Sequence, residues 1–141
     1  MRCAVYARYS SDMQRETSLE DQIAVARAYA QRYRWAVLDE HIYADPAISG
    51  ASIMGRPALQ GLLAAAARSP APFDIVVVDD SSRVSRDLPH ALHVLRHLKF
   101  FSVRTIYISQ QIDSYSEQAE TLLTVHGLVT FRRPTRWPRG C

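Results

Sequence analysis

The stretch Phe73-Asp74-Ile75-Val76-Val77-Val78 constrains this chain more than any other. Its run of β-branched residues has no polar face, so it reads as a strand covered by apolar partners on both sides, the habit of a central strand in a parallel sheet. Parallel neighbours cannot be joined by a tight hairpin, and each connection needs a crossover, normally a helix. The remaining sequence supplies that alternation. Cys3-Ala4-Val5 is a short first strand, and Ser18-Leu19-Glu20-Asp21 reads as a helix start, with Ile23, Ala26, Ala30 and Tyr33 as an apolar stripe to about Arg34. Trp35 to Tyr43 is a second strand, and Pro57 opens a helix whose buried face is Leu59, Leu62, Leu63 and Ala66. Ser69-Pro70-Ala71-Pro72 ends it. After the Phe73–Val78 strand come a helix with Leu88, Ala91, Leu92, Leu95 and Leu98, a fourth strand over Val103–Ile108, and a last helix over Ser116–Leu128. The pattern predicts an α/β fold of three layers: a doubly wound, mostly parallel sheet of four to five strands between helices.

At 141 residues with 48% hydrophobic composition the chain can bury one proper core, and residues 1–129 are expected to form it. Its formal charge of +3 permits a nucleic-acid partner without arguing for one. Lys99 is the only lysine, and all other basic side chains apart from histidine are arginine, whose planar fork pairs bidentately with phosphate. Cys3 lies in an apolar strand and Cys141 at the far end, which suits a buried small hydrophobe rather than a disulfide. Zinc-type cysteine spacing, a signal-type leader and an apolar run long enough for a membrane span are all missing from the sequence, so a cytoplasmic protein without a metal is expected.

In an open parallel sheet, chemistry gathers beyond the carboxyl ends of the strands. Three polar segments are expected at that edge: Tyr6-Ala7-Arg8-Tyr9-Ser10-Ser11 after the first strand, Asp45 to Ser52 after the second, and Asp79 to Asp87 after the third. The first offers Ser10 as a nucleophile, which needs a base, a lowered pKa or a site that stabilises transition-state charge. Arg8, Arg83 and Arg86 are candidates for the last of these. Taken singly, each residue has a plainer role: exposed arginines are common, and Asp45 before Pro46 can make an Asx turn. His90, His93 and His97 share a helix face without a carboxylate or cysteine pattern, so a solvated face is the better reading. Asp79-Asp80 has the look of a receiver-type acidic pocket, but the first strand ends in arginine and serine and Lys99 precedes the fourth strand.

Together these residues resemble the serine site-specific recombinases of the resolvase/invertase type. Tyr6-Ala7-Arg8-Tyr9-Ser10 is similar to that family's first-strand signature, and Ser18-Leu19-Glu20-Asp21-Gln22 to its Ser-Leu-x-x-Gln helix start. Asp45 with Ser49-Gly50, Gly55-Arg56-Pro57-Ala58-Leu59 and Ser82-Arg83-Val84-Ser85-Arg86-Asp87 complete the likeness in the same order along the chain. The resemblance implies that Ser10 attacks a DNA phosphodiester to give a 5′-phosphoserine link and a free 3′-hydroxyl, with no cofactor. It implies Arg8, Arg83 and Arg86 as phosphate ligands, Asp45 as a further catalytic residue that positions the arginines or assists proton transfer with Ser49, and Tyr6, Gln22, Ser49 and Arg56 as substrate-side residues. DNA is the implied partner, with a homodimer or tetramer as the family's assembly.

Two substitutions and the end of the chain depart from the pattern. Ser82 stands where many members have aspartate, leaving Asp79 or Asp80 as the replacement carboxylate, and Tyr9 replaces a small β-branched residue. After Val129 the family continues into a long helix, whereas residues 130–141 carry Pro134, Pro138 and Gly140. We expect this segment to be a disordered or out-of-frame tail, although its four arginines and Trp137 suit a nucleic-acid backbone. The chain then reads as a truncated catalytic domain that does not cut a specific site alone. The competing readings are a non-catalytic remnant that pairs with full-length recombinases and a phosphate-binding enzyme of small substrates.

Overall fold

The computed structural model describes residues 1–8, 18–45, 57–85 and 87–132, with side chains described as far as residue 125. Five strands form one sheet: β1 (Arg2–Arg8), β2 (Ala36–Asp45), β3 (Ile75–Val78), β4 (Arg104–Tyr107) and β5 (Ile112–Asp113). Their spatial order is β2-β1-β3-β4-β5. All neighbours run parallel except β4 and β5, so the mostly parallel sheet is as the sequence indicates. The order reverses between β1 and β3, and at such a switch point the crossovers diverge and leave a crevice at the carboxyl end of the strands.

The helices are α1 (Leu19–Arg32), α2 (Pro57–Ala66), α3 (Ser81–Val84), α4 (Leu88–Phe100) and α5 (Ala119–Arg132). Strand periodicity divides the core into two layers. Cys3, Val5, Ile75, Val77 and Ile106 pack on one side against Ala26 and Ala30 of α1. Ala4, Tyr6, Val76, Val78 and Tyr107 point to the other side, where Leu59 and Leu62 of α2, Leu95 and Leu98 of α4, and Leu123 of α5 cover them. All four β3 residues are buried, which is why that run needs no polar face. Arg8 has the parity of Ala4 and Tyr6, so its side chain is directed toward the α2–α4 layer.

Boundaries differ from the sequence reading where local and tertiary signals compete. β1 reaches Arg8 because Tyr6 and Arg8 pair in the ladder with Tyr43 and Asp45 of β2. The Asp79–Asp87 segment, expected as a turn, contains the short helix α3, capped by Asp80. α5 begins at Ala119 instead of Ser116 and continues to Arg132, past the expected end at Leu128. Among the described residues no helix is long and apolar enough to cross a membrane.

Candidate active site

The carboxyl edge of the sheet is assembled around Arg8. From the α1 side, Gln22 reads the backbone of Arg8 with both ends of its amide: Oε1 accepts the Arg8 N–H at 3.1 Å and Nε2 donates to the Arg8 carbonyl at 3.0 Å. Gln22 can do this because Ser18, whose hydroxyl accepts the Asp21 N–H at 3.1 Å, starts α1 in register. From the opposite side, the Arg8 guanidinium donates from Nε to the Arg83 carbonyl and from Nη2 to the Ser82 carbonyl, both at 2.9 Å. These are the terminal carbonyls of α3, groups that a helix leaves without intrahelical partners. Arg83 is buried beside it, with Nη1 3.5 Å from the Arg8 carbonyl. Carbonyl contacts orient a guanidinium without cancelling its charge, so two buried arginines stand at the edge where Ser10 follows Arg8 in the chain.

Asp45 ends β2 in the adjoining position. Its carboxylate accepts the Tyr6 hydroxyl at 2.8 Å and the α2 amides of Ala58 and Leu59 at 2.8 and 3.0 Å. An anion at a helix N-terminus satisfies free N–H groups and meets the positive end of the helix dipole. Tyr6, Gln22 and Asp45 are 0%, 1% and 1% exposed, so they shape the site from beneath. Tyr6 and Gln22, expected on the substrate side, are buried here and bond Asp45 and the Arg8 backbone. For Asp45, the partners are α2 and Tyr6, and no arginine reaches it among the described residues. Ser10, Ser49, Arg56 and Arg86 lie outside the described residues, as does the segment 133–141.

A family model, Resolvase, N terminal domain, matches residues 3–133. The chain belongs to that family. The solved N-terminal catalytic domain of TP901-1 integrase superposes on this resolvase domain with a TM-score of 0.73 at 27% identity, covering 97% of this chain and 100% of the other. A resolvase family site-specific recombinase from Streptococcus pneumoniae shares the fold with a TM-score of 0.73 at 23% identity, covering 96% and 91% of the two chains. The C-terminal catalytic domain of ISC1926 TnpA, an IS607-like serine recombinase, does so with a TM-score of 0.62 at 22% identity, over 93% and 80%. No curated protein matches.

Two acidic residues of the resolvase domain immediately precede α3. Asp80 caps it, with Oδ1 accepting the Ser82 N–H at 2.8 Å and the Gln110 Nε2–H at 3.1 Å. Burial opposes the charge of Asp80, but these hydrogen bonds and nearby Arg83 outweigh it and hold the carboxyl below its ordinary value. Burial raises the neighbouring Asp79 carboxyl, and the charge of Arg83 only partly opposes that rise. The carboxylate beside Ser82 is therefore Asp80, two positions earlier in the chain. Gln110 escaped sequence reasoning because it is one of three polar residues in an ordinary turn, and its partners are 29 and 30 positions away. Of the α4 histidines, His97 bonds the Leu63 carbonyl through its ring at 3.1 Å, and no metal-binding group of side chains occurs among the described residues.

Proposed function

We propose that this domain cleaves and rejoins DNA strands, with Ser10 as the nucleophile. Ser10 Oγ attacks the phosphorus, the bond to the 3′ oxygen breaks, and that oxygen leaves as a hydroxyl after taking up a proton. The 5′ phosphate stays on Ser10 as a phosphodiester, so the reverse attack by a 3′-hydroxyl restores the strand without an external energy source. Arg8 and Arg83, joined by Arg86, bind the phosphate and its developing charge. Arg56 and Ser49 complete the substrate side, while Gln22, Tyr6 and Asp45 hold the framework. Phosphoryl transfer depends on positioning and electrostatic stabilisation, and pre-oriented guanidinium groups supply both.

The observation that carries this reading is the mutual fixing of Arg8 and α3, which sets two buried guanidinium groups at the switch-point edge beside the chain position of Ser10. Supporting it, TP901-1 integrase, whose catalytic domain this chain resembles over its full length, is by name an integrase. DNA is the partner, with pairing of identical chains as the assembly. The test is incubation with a randomised supercoiled plasmid library followed by a denaturant quench. Protein attached to 5′ ends, free 3′-hydroxyls, insensitivity to chelators and complete loss in Ser10→Ala are expected. Attachment that survives Ser10→Ala, or turnover of small phosphate esters without DNA attachment, would contradict it.

A further inference from the structure

α3 is four residues long, too short to hold itself, because one helical turn fixes several backbone angles for a single hydrogen bond. It nevertheless carries Arg83 and supplies both carbonyls that grip Arg8. What fastens its other end comes from the turn between β4 and β5. There the Gln110 side chain accepts the Ser81 N–H on Oε1 at 3.1 Å and donates from Nε2 to Asp80 Oδ1 at 3.1 Å. That oxygen also accepts the Ser82 N–H, so one amide and one carboxylate close over two of the free N–H groups of α3. The turn is itself held to the end of β3, with Ile108 N–H and Ser109 N–H donating to the Val78 and Asp79 carbonyls at 2.9 Å each. Gln111, at φ 57, supplies the left-handed residue that the turn requires.

We propose that Gln110 is a positioning residue for this site: through Ser81 and Asp80 it fixes α3, and α3 fixes the Arg8 guanidinium and presents Arg83. The proposal rests on the reading of Arg8 and Arg83 as phosphate ligands. A glutamine is suited to the task because it must accept from a backbone amide and donate to a carboxylate at once. Glutamate has the same length and acceptor but sets a second carboxylate against Asp80, and alanine loses both bonds.

The test uses the whole chain as Gln110→Ala and Gln110→Glu, with two readouts. One is the Nε–Hε signal of Arg8 in an NMR spectrum without DNA, assigned by its loss in Arg8→Lys. The other is the single-turnover rate of covalent DNA attachment, set against DNA affinity. In both variants the Arg8 signal is expected to shift, and the rate to fall about tenfold while affinity changes by less than about twofold. Gln110→Glu conserves side-chain size, so it decides the question if the alanine variant does not fold. An unmoved Arg8 signal with an unchanged rate overturns the proposal, as does a loss of rate matched by an equal loss of affinity. If the wild-type chain attaches no DNA, the functional reading fails, and the Arg8 signal alone then decides whether Gln110 orients that guanidinium.

Discussion

Arg8 is held at three levels: its backbone by Gln22, its guanidinium by α3, and its strand by the ladder to β2. Charge alone does not explain such an arrangement, because a lysine would carry the same charge but lacks the fork that meets two carbonyls at once. Arg8→Lys is therefore expected to lower the DNA attachment rate about 100-fold or more with the fold intact, measured by single-turnover kinetics and circular dichroism. Gln22→Ala removes two bonds to the buried Arg8 backbone, leaving its C=O the 3.5 Å contact with Arg83 Nη1, and a loss of about 1–3 kcal/mol is expected in urea unfolding. Gln22 was legible as part of a helix start, since Ser18-Leu19-Glu20-Asp21 is a local capping pattern. That its amide reads Arg8 was not, because that pairing spans 14 positions and depends on how α1 crosses the sheet. Cys3 was legible in full: burial pushes its thiol up to about 12, the nearby N-terminal ammonium opposing only weakly. It should resist alkylation until the protein unfolds.

Elements long enough to repeat their pattern were the ones the residues announced. β3 and the apolar stripes of α1, α2 and α4 follow from side-chain periodicity, and Pro57 marks a helix start because its missing N–H costs nothing there. α3 and β5 were not readable, since four and two residues hold no period and both exist through partners elsewhere in the chain. Helix ends carry a further lesson. α1 and α4 each close with paired bonds, Trp35 N–H to Ala30 C=O with Arg34 N–H to Gln31 C=O, and Val103 N–H to Leu98 C=O with Ser102 N–H to Lys99 C=O. Such ends need a left-handed residue, and Arg34 and Ser102 fill the role at φ 62 and 63, where glycine is normally preferred. Ser102→Gly should therefore stabilise the domain by about 0.5–1 kcal/mol, read as a rise in the urea midpoint with an unchanged slope.

Across the whole molecule, two apolar layers bury the sheet while its charged groups are placed along the edges. At the edge opposite the candidate site, Arg104 bonds Asp113 and lies over the rings of Trp35 and Tyr115. Burial works against the charge of Asp113, but the Arg104 hydrogen bond and the Tyr115 N–H outweigh it and lower the carboxyl. Asp80 is lowered too, so both groups bind fewer protons in the folded state than in the unfolded one near 3.8. Their stabilisation is complete above the unfolded value and is lost as pH falls through the folded one. Asp79, raised in the fold, works in the opposite direction and softens the decline. Urea midpoints should thus be nearly level above about pH 5 and fall below about pH 4, and Arg104→Met should flatten that fall. The same architecture brings the ends of β1 and β2 and the helix after β3 to one edge, and the central claim is that a phosphoserine forms there. The most direct measurement is mass spectrometry of the tryptic peptide spanning residues 9–15 after DNA attachment and nuclease digestion. The expected result is a nucleotide on Ser10, absent in Ser10→Ala, whereas a nucleotide on Ser11 or on a peptide elsewhere in the chain would contradict the claim.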